Sequence, residues 1–190
     1  MSRLSGEPGP VEHPSEADLD LDADLFMRKM LRDLTGLLQD VVGLDEAEGY
    51  INSVGTSVGR WIEDKYRAEM GGQDLDPTRI AEVFVDLKRR IGGDFYVISV
   101  TDDCITLGNR ACPFGDMAQG RDALCMMTSN VFGRIAADHT GYARVELHET
   151  IARGDAGCRI AIHLSPDGAG PSDGAREYFR LDPDLRENGG

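Results

Sequence analysis

Nowhere does this sequence stay apolar for the roughly 18 residues a membrane-spanning helix needs, so no span is expected. Its opening, "MSRLSGEPGPVEHPSEADLDLDADLF", lacks the apolar segment of a secretory signal, and the expected address is cytoplasmic. Positive charge is scarce: 20 Lys and Arg stand against 34 Asp and Glu, for a net charge of −14. Gripping phosphates takes clustered Lys and Arg, so direct binding to nucleic acid is excluded. There are four cysteines and no C-x-x-C, and structural disulfides are rare in the cytoplasm. No H-E-x-x-H and no nucleophile–base pair stand out, which leaves catalysis without a candidate residue. Paired glycines in "SVGTSVG" (53–59) lack the strand–turn–helix setting of a phosphate loop and read as helix packing.

What is present is a hydrophobic share of 41% over 190 residues, enough for one domain with a sizeable core. Residues 1–22 carry six acids and one Arg and read as a disordered acidic leader; residues 166–190, rich in Gly, Pro and Asp, read as a flexible acidic tail in which "REYFRL" docks weakly at most. The domain between them, residues 24–165, begins with a helix whose Phe26, Met30, Leu34, Leu37 and Val41 recur at three and four, joined by Leu31, Leu38 and Val42. Gly43 ends it. A second helix, from about Asp45 to Met70, places Ala47, Tyr50, Ile51, Val54, Val58, Trp61 and Ile62 on one side. Asp76 caps a third, with Pro77 in its first position and Ile80, Val83, Phe84 and Leu87 inward.

The second half alternates with a period of two. "DFYVISVT" (94–101) and "CITLG" (104–108) form a hairpin across "DD". A long helix from about Arg121 to Asp138 buries Leu124, Met127, Val131 and Ile135. "YARVELHET" (142–150) and "CRIAIHLS" (158–165) make a second hairpin. The expected fold is α+β: N-terminal helices packed with an antiparallel sheet made of two hairpins separated by a long helix.

Cys104, Cys112, Cys125 and Cys158 all fall near element ends, where the backbone can aim sulfur at a common point. Four thiolates suit a zinc ion or an iron–sulfur cluster, and the helix N-terminus at Cys125 is expected to lower its thiol pKa. The spacing is loose, with seven, twelve and thirty-two residues between successive cysteines. Inert core thiols and a reversible thiol switch therefore remain open beside a shared site. His139, His148 and His163 are further candidates, with His148 and His163 read as a cross-strand surface pair.

"NRACPFG", "LCMMTSNVFG", "GYA" and "ETIARGDAGCR" carry a resemblance to the methanogen output domain 1 family, found in archaeal and bacterial signalling and transcription-control proteins. The likeness spans roughly residues 24–165. The wider resemblance is to vinyl-reductase-type ligand-binding domains, a superfamily with nitric-oxide sensors and Golgi-transport subunits, often dimeric. Some relatives there hold zinc by three cysteines and a glutamate. Here Cys158 matches the last of those cysteines and Glu149 is placed for the carboxylate, while Thr150 stands where the relatives have another cysteine.

The resemblance implies a cytoplasmic sensory or regulatory domain with no catalysis assigned, acting through homodimerisation or a regulatory protein partner. The four cysteines would form its metal site, with zinc ahead of a 4Fe-4S cluster. From their own residues, Met126 and Met127 beside Cys125 read as ordinary core or, with Phe132, as the lining of a pocket for a small apolar ligand. Two rival expectations are an iron–sulfur reductase or electron carrier and a metal-free thiol redox switch.

Overall fold

The computed structural model describes residues 13, 18–167 and 174–181. Three helices come first: α1 (Ala23–Val42), α2 (Leu44–Glu69) and α3 (Pro77–Arg90). Asp22 and Asp76 cap α1 and α3, each carboxylate accepting a backbone N–H of the first turn. Then follow β1 (Phe95–Val100), β2 (Cys104–Asn109), α4 (Asp122–Thr140), β3 (Tyr142–Glu149), β4 (Cys158–His163) and β5 (Arg176–Phe179). The strands form one antiparallel sheet in the order β1-β2-β4-β3-β5, with the two expected hairpins joined edge to edge through β2 and β4. The α+β architecture is as the sequence pattern predicts. No helix among the described residues is long and apolar enough to cross a membrane.

β5 extends the sheet beyond the boundary expected at residue 165. Tyr178 reaches back from it over Gly133, and its hydroxyl donates to Asn130 Oδ1 at 2.7 Å. Short, and set among Gly, Pro and Asp, this strand has too weak a signature to be assigned from its own residues. The leader, residues 168–173 and residues 182–190 lie outside the described residues, residue 13 and residues 18–22 excepted.

α4 is the hub. It is buried nearly all round because α2 covers one side and the sheet the other, and Phe132 stacks on Phe84 of α3 (4.3 Å between centroids) and meets the edge of Phe95. α2 approaches α4 closely through its glycines: a methyl on Gly55 would lie 2.4 Å from Asn130 Cβ, and one on Gly59 3.1 Å from Arg134 Cβ. Helix packing is thus the role of "SVGTSVG". Gly55→Ala is expected to cost about 1–3 kcal/mol by overpacking, measurable as a lowered urea midpoint.

Two inward faces differ from expectation. On α2, Ala47, Ile51 and Ile62 are buried, but Tyr50, Val54 and Trp61 face out, because the glycine side sets the contact with α4. On α1 the apolar stripe of Phe26, Met30, Leu34, Leu37 and Val41 is exposed, and Thr35 and Gly36 face the domain. Periodicity located the stripe correctly; which side met the rest of the chain was decided by polar contacts that periodicity does not register.

Candidate functional site

Three of the four cysteines meet, and a lysine meets them. Cys112 sits in the loop after β2, Cys125 in the first turn of α4, and Cys158 at the start of β4. All three line one small cavity of about 30 Å³, closed in by Phe95, Pro113, Phe114, Leu124 and Ile160. That volume suffices for one or two water molecules. The antiparallel register puts Cys158 directly opposite Asn109, whose amide donates to Cys158 Sγ at 3.5 Å. The side-chain Oδ1 of Asn109 accepts the N–H of Ala111 at 3.1 Å and so anchors the loop that carries Cys112.

Lys88, in the last turn of α3, points its ammonium into this chamber and is only 5% exposed. The ammonium donates to Thr128 Oγ1 at 2.9 Å and lies over the rings of Phe132 and Phe95, 5.1 and 5.3 Å from their centroids. Burial pulls its pKa down to about 8, while the three neighbouring sulfurs Cys112, Cys125 and Cys158 pull the other way. Burial likewise raises the thiol pKa of Cys112, and that of Cys125 to about 12, with the other two sulfurs and Asp122 adding to the effect on Cys125. The lowering expected from the helix N-terminus is therefore outweighed: desolvating a thiolate costs more than the end of one helix returns.

Cys104 stands apart. It opens β2, five residues from Asn109, which is about 17 Å along a strand, and it pairs with His163 rather than with Cys158. An odd number of residues also turns it to the opposite face of the sheet. Its sulfur lies 4.0 Å from Thr106 Oγ1, near Glu146, with its pKa raised by burial. A site drawing on all four thiols is thus at odds with the strand register; the group that converges has three. Among the described residues no three His, Cys, Asp or Glu side chains stand close enough, as placed, to hold a metal ion.

His148 and His163 are not directly opposed, since His163 pairs with Arg144. They flank Glu146 instead, at 3.5 and 3.6 Å, on the face away from the chamber. His139 is buried beneath α2. Its Nε2 lies 2.9 Å from Glu63 Oε1, and its Nδ1 accepts the N–H of Leu75 at 3.1 Å, a structural pillar between α2, α4 and the segment before α3. Glu149 is exposed and lines neither cavity, whereas Thr150 lines the chamber.

The expected apolar-ligand residues scatter. Met126 borders a larger, open cleft of about 400 Å³ between the start of α4 and β3, which also touches Leu44, His148, Arg153 and Arg176. Met127 packs on a minor cluster with Leu38 and Leu44, and Phe132 is central core lining neither space. Cys125 and Leu147 line both cavities and so form the wall between chamber and cleft. Lys88 was not singled out in the sequence. Ile80, Phe84 and Lys88 recur every four residues, and that stripe was the available signal for it.

A family model described as methanogen output domain 1 matches residues 30–163. No curated protein matches. Among solved structures, the phenol-responsive sensory domain of the transcription activator PoxR, with phenol, superposes with a TM-score of 0.57 at 15% identity over 76% of each chain. A trafficking protein particle complex subunit 3 from Naegleria fowleri, covalently bound to palmitic acid, does so with a TM-score of 0.53 at 14% identity, covering 83% of this chain and 98% of that one. At such identities the likeness is one of fold.

Proposed function

This chain belongs to the methanogen output domain 1 family, and we propose that it is a cytoplasmic sensory or regulatory domain whose sensing centre is the chamber of Cys112, Cys125, Cys158 and Lys88. The fold shared with a sensory domain supports the class of function, and the chamber supports the place. The carrying observation is a buried ammonium that faces three thiols, with no carboxylate lining its chamber.

An ammonium so enclosed needs an anion. Neutral thiols do not supply one, and the raised pKa values of Cys112 and Cys125 keep those two neutral in a metal-free chamber. Three thiolates on a zinc ion, or on a 4Fe-4S cluster with a 2+ core, carry a net charge of about −1, which one ammonium cancels. The donor chemistry and charge therefore fit an inorganic centre, with zinc ahead. The spacing does not yet close on an ion, and of the three sulfurs only Cys112 lies outside a helix or strand. Zinc would fix the loop to α4 and β4; a cluster would make loss or oxidation of iron the signal. Cys125, shared with the open cleft, is the side from which a small ligand or oxidant would arrive. α4 would carry the change to α2, and from there to a second copy or a regulatory partner.

The test is purification without oxygen, followed by elemental analysis, acid-labile sulfide and a visible spectrum. About one zinc per chain, or about four irons with matching sulfide, is the expected result. A colourless protein with no stoichiometric metal that forms a disulfide under peroxide would overturn the metal centre in favour of a thiol switch. Turnover with an electron donor would favour a reductase or electron carrier.

A further inference from the structure

α1 is turned inside out. Its side toward the domain is held by polar groups: the Arg32 guanidinium donates to the carbonyl oxygens of Met117 and Gln119, Arg121 pairs with Asp40 at 2.9 Å, and the Ala123 N–H is 3.4 Å from Gln39 Oε1. Gly36 lets the Arg121 side chain pass within van der Waals reach of the backbone. The opposite side presents Phe26, Met27, Met30, Leu34, Leu37 and Val41, from 37% exposed at Met30 to 71% at Val41. From Met27 on, these residues step by three, four, three and four. That is the seam of two helices packed side by side, not the broader stripe of a helix lying on a core.

Three occupants compete for this face. The leader is a poor one: residues 1–22 offer Met1, Leu4, Val11, Leu19 and Leu21 among six acids, with no matching repeat. An anionic membrane would be repelled by that leader and by a net charge of −14. A second copy meets both requirements of area and charge. Six side chains at on the order of 90 Å² each give roughly 1,100 Å² over two copies, above the ~1,000 Å² expected of a specific interface. Charge favours one direction. Leaving out Arg32 and Asp40, which are turned to the domain, residues 23–32 hold Arg28, Lys29 and Asp24, a net +1, and residues 33–42 hold Asp33, a net −1. Parallel helices would set like against like; antiparallel helices set each half against its opposite.

We propose that α1 is the two-fold interface of a homodimer, packed antiparallel against α1 of the second copy with Leu34 near the axis and Met27 facing the partner's Val41. Such a contact is self-complementary, as a closed dimer requires. The inference gives a surface to the dimerisation invoked above and does not depend on what the chamber holds.

Sedimentation of the full chain at roughly 50 µM is expected to show a dimer. Leu34→Glu should raise its dissociation constant by about 100-fold or more while leaving helical circular dichroism and metal content as in the parent. Met27→Cys and Val41→Cys proteins should cross-link to each other when mixed, with the new bond located by peptide mass spectrometry. A parent that sediments as a monomer, or a dimer unchanged in Leu34→Glu, overturns the proposal. Cross-linking of Met27→Cys to itself, in preference to the mixed pair, overturns the antiparallel arrangement.

Discussion

Serine at any one of Cys112, Cys125 or Cys158 is expected to strip the centre, lowering bound metal at least about tenfold, whereas Cys104→Ser should keep the full complement. The contrast follows from sheet geometry. Cys158 faces Asn109 across β2 and β4, on the side packed against α3 and α4, while Cys104 lies five residues away on the other face. Losing one thiolate leaves two, too few to hold zinc or a cluster, and also leaves Lys88 without its full counter-charge. The three variants should therefore melt well below the parent, by on the order of 10 °C if binding contributes even a few kcal/mol to folding. Equal loss from all four variants, measured by elemental analysis on protein purified without oxygen, would mean that Cys104 is a ligand and that the sheet register described above is wrong.

Lys88→Met is expected to change sign with the state of the chamber. Methionine is near in volume and carries no charge, so in metal-stripped protein it removes the cost of burying an ammonium among Phe95, Phe132 and neutral thiols. A gain of about 1–4 kcal/mol in unfolding free energy is expected there. In loaded protein the same change leaves a negative centre unpaired, and metal retention in a competition with a chelator should weaken by about tenfold or more. Matched urea titrations of stripped and loaded protein check both halves. A Lys88→Met protein that is less stable in both states would mean that the ammonium serves packing alone.

Most of the elements could be read from the residues, because their signals are local: Asp76-Pro77 starts α3, Gly43 ends α1, and the alternation in "YARVELHET" marks β3. What escaped depends on which neighbours the fold supplies. α1 shows one apolar stripe, and only the contacts of Arg32, Gln39 and Asp40 decide that it faces outward. β5 is a strand chiefly because β3 has a free edge for it. Cys104 shares with the other cysteines a place near an element end; with β2 and β4 paired, parity counted from Asn109 takes it out of their group. Lys88 is one of three basic residues in the last turn of α3, although its place on the stripe of Ile80 and Phe84 points inward. Helix-terminal charge and burial make competing claims on such a residue, and burial won.

The number of sulfur atoms around any bound metal decides the matter most directly. X-ray absorption at the metal edge, on protein purified without oxygen, should give three protein sulfurs per zinc at about 2.3 Å, or for iron a cluster with one non-cysteine position, and the spectrum of Cys104→Ser should superimpose on that of the parent. Four protein sulfurs that fall to three in Cys104→Ser, or a metal with no sulfur neighbours, would contradict a centre built from Cys112, Cys125 and Cys158 against Lys88.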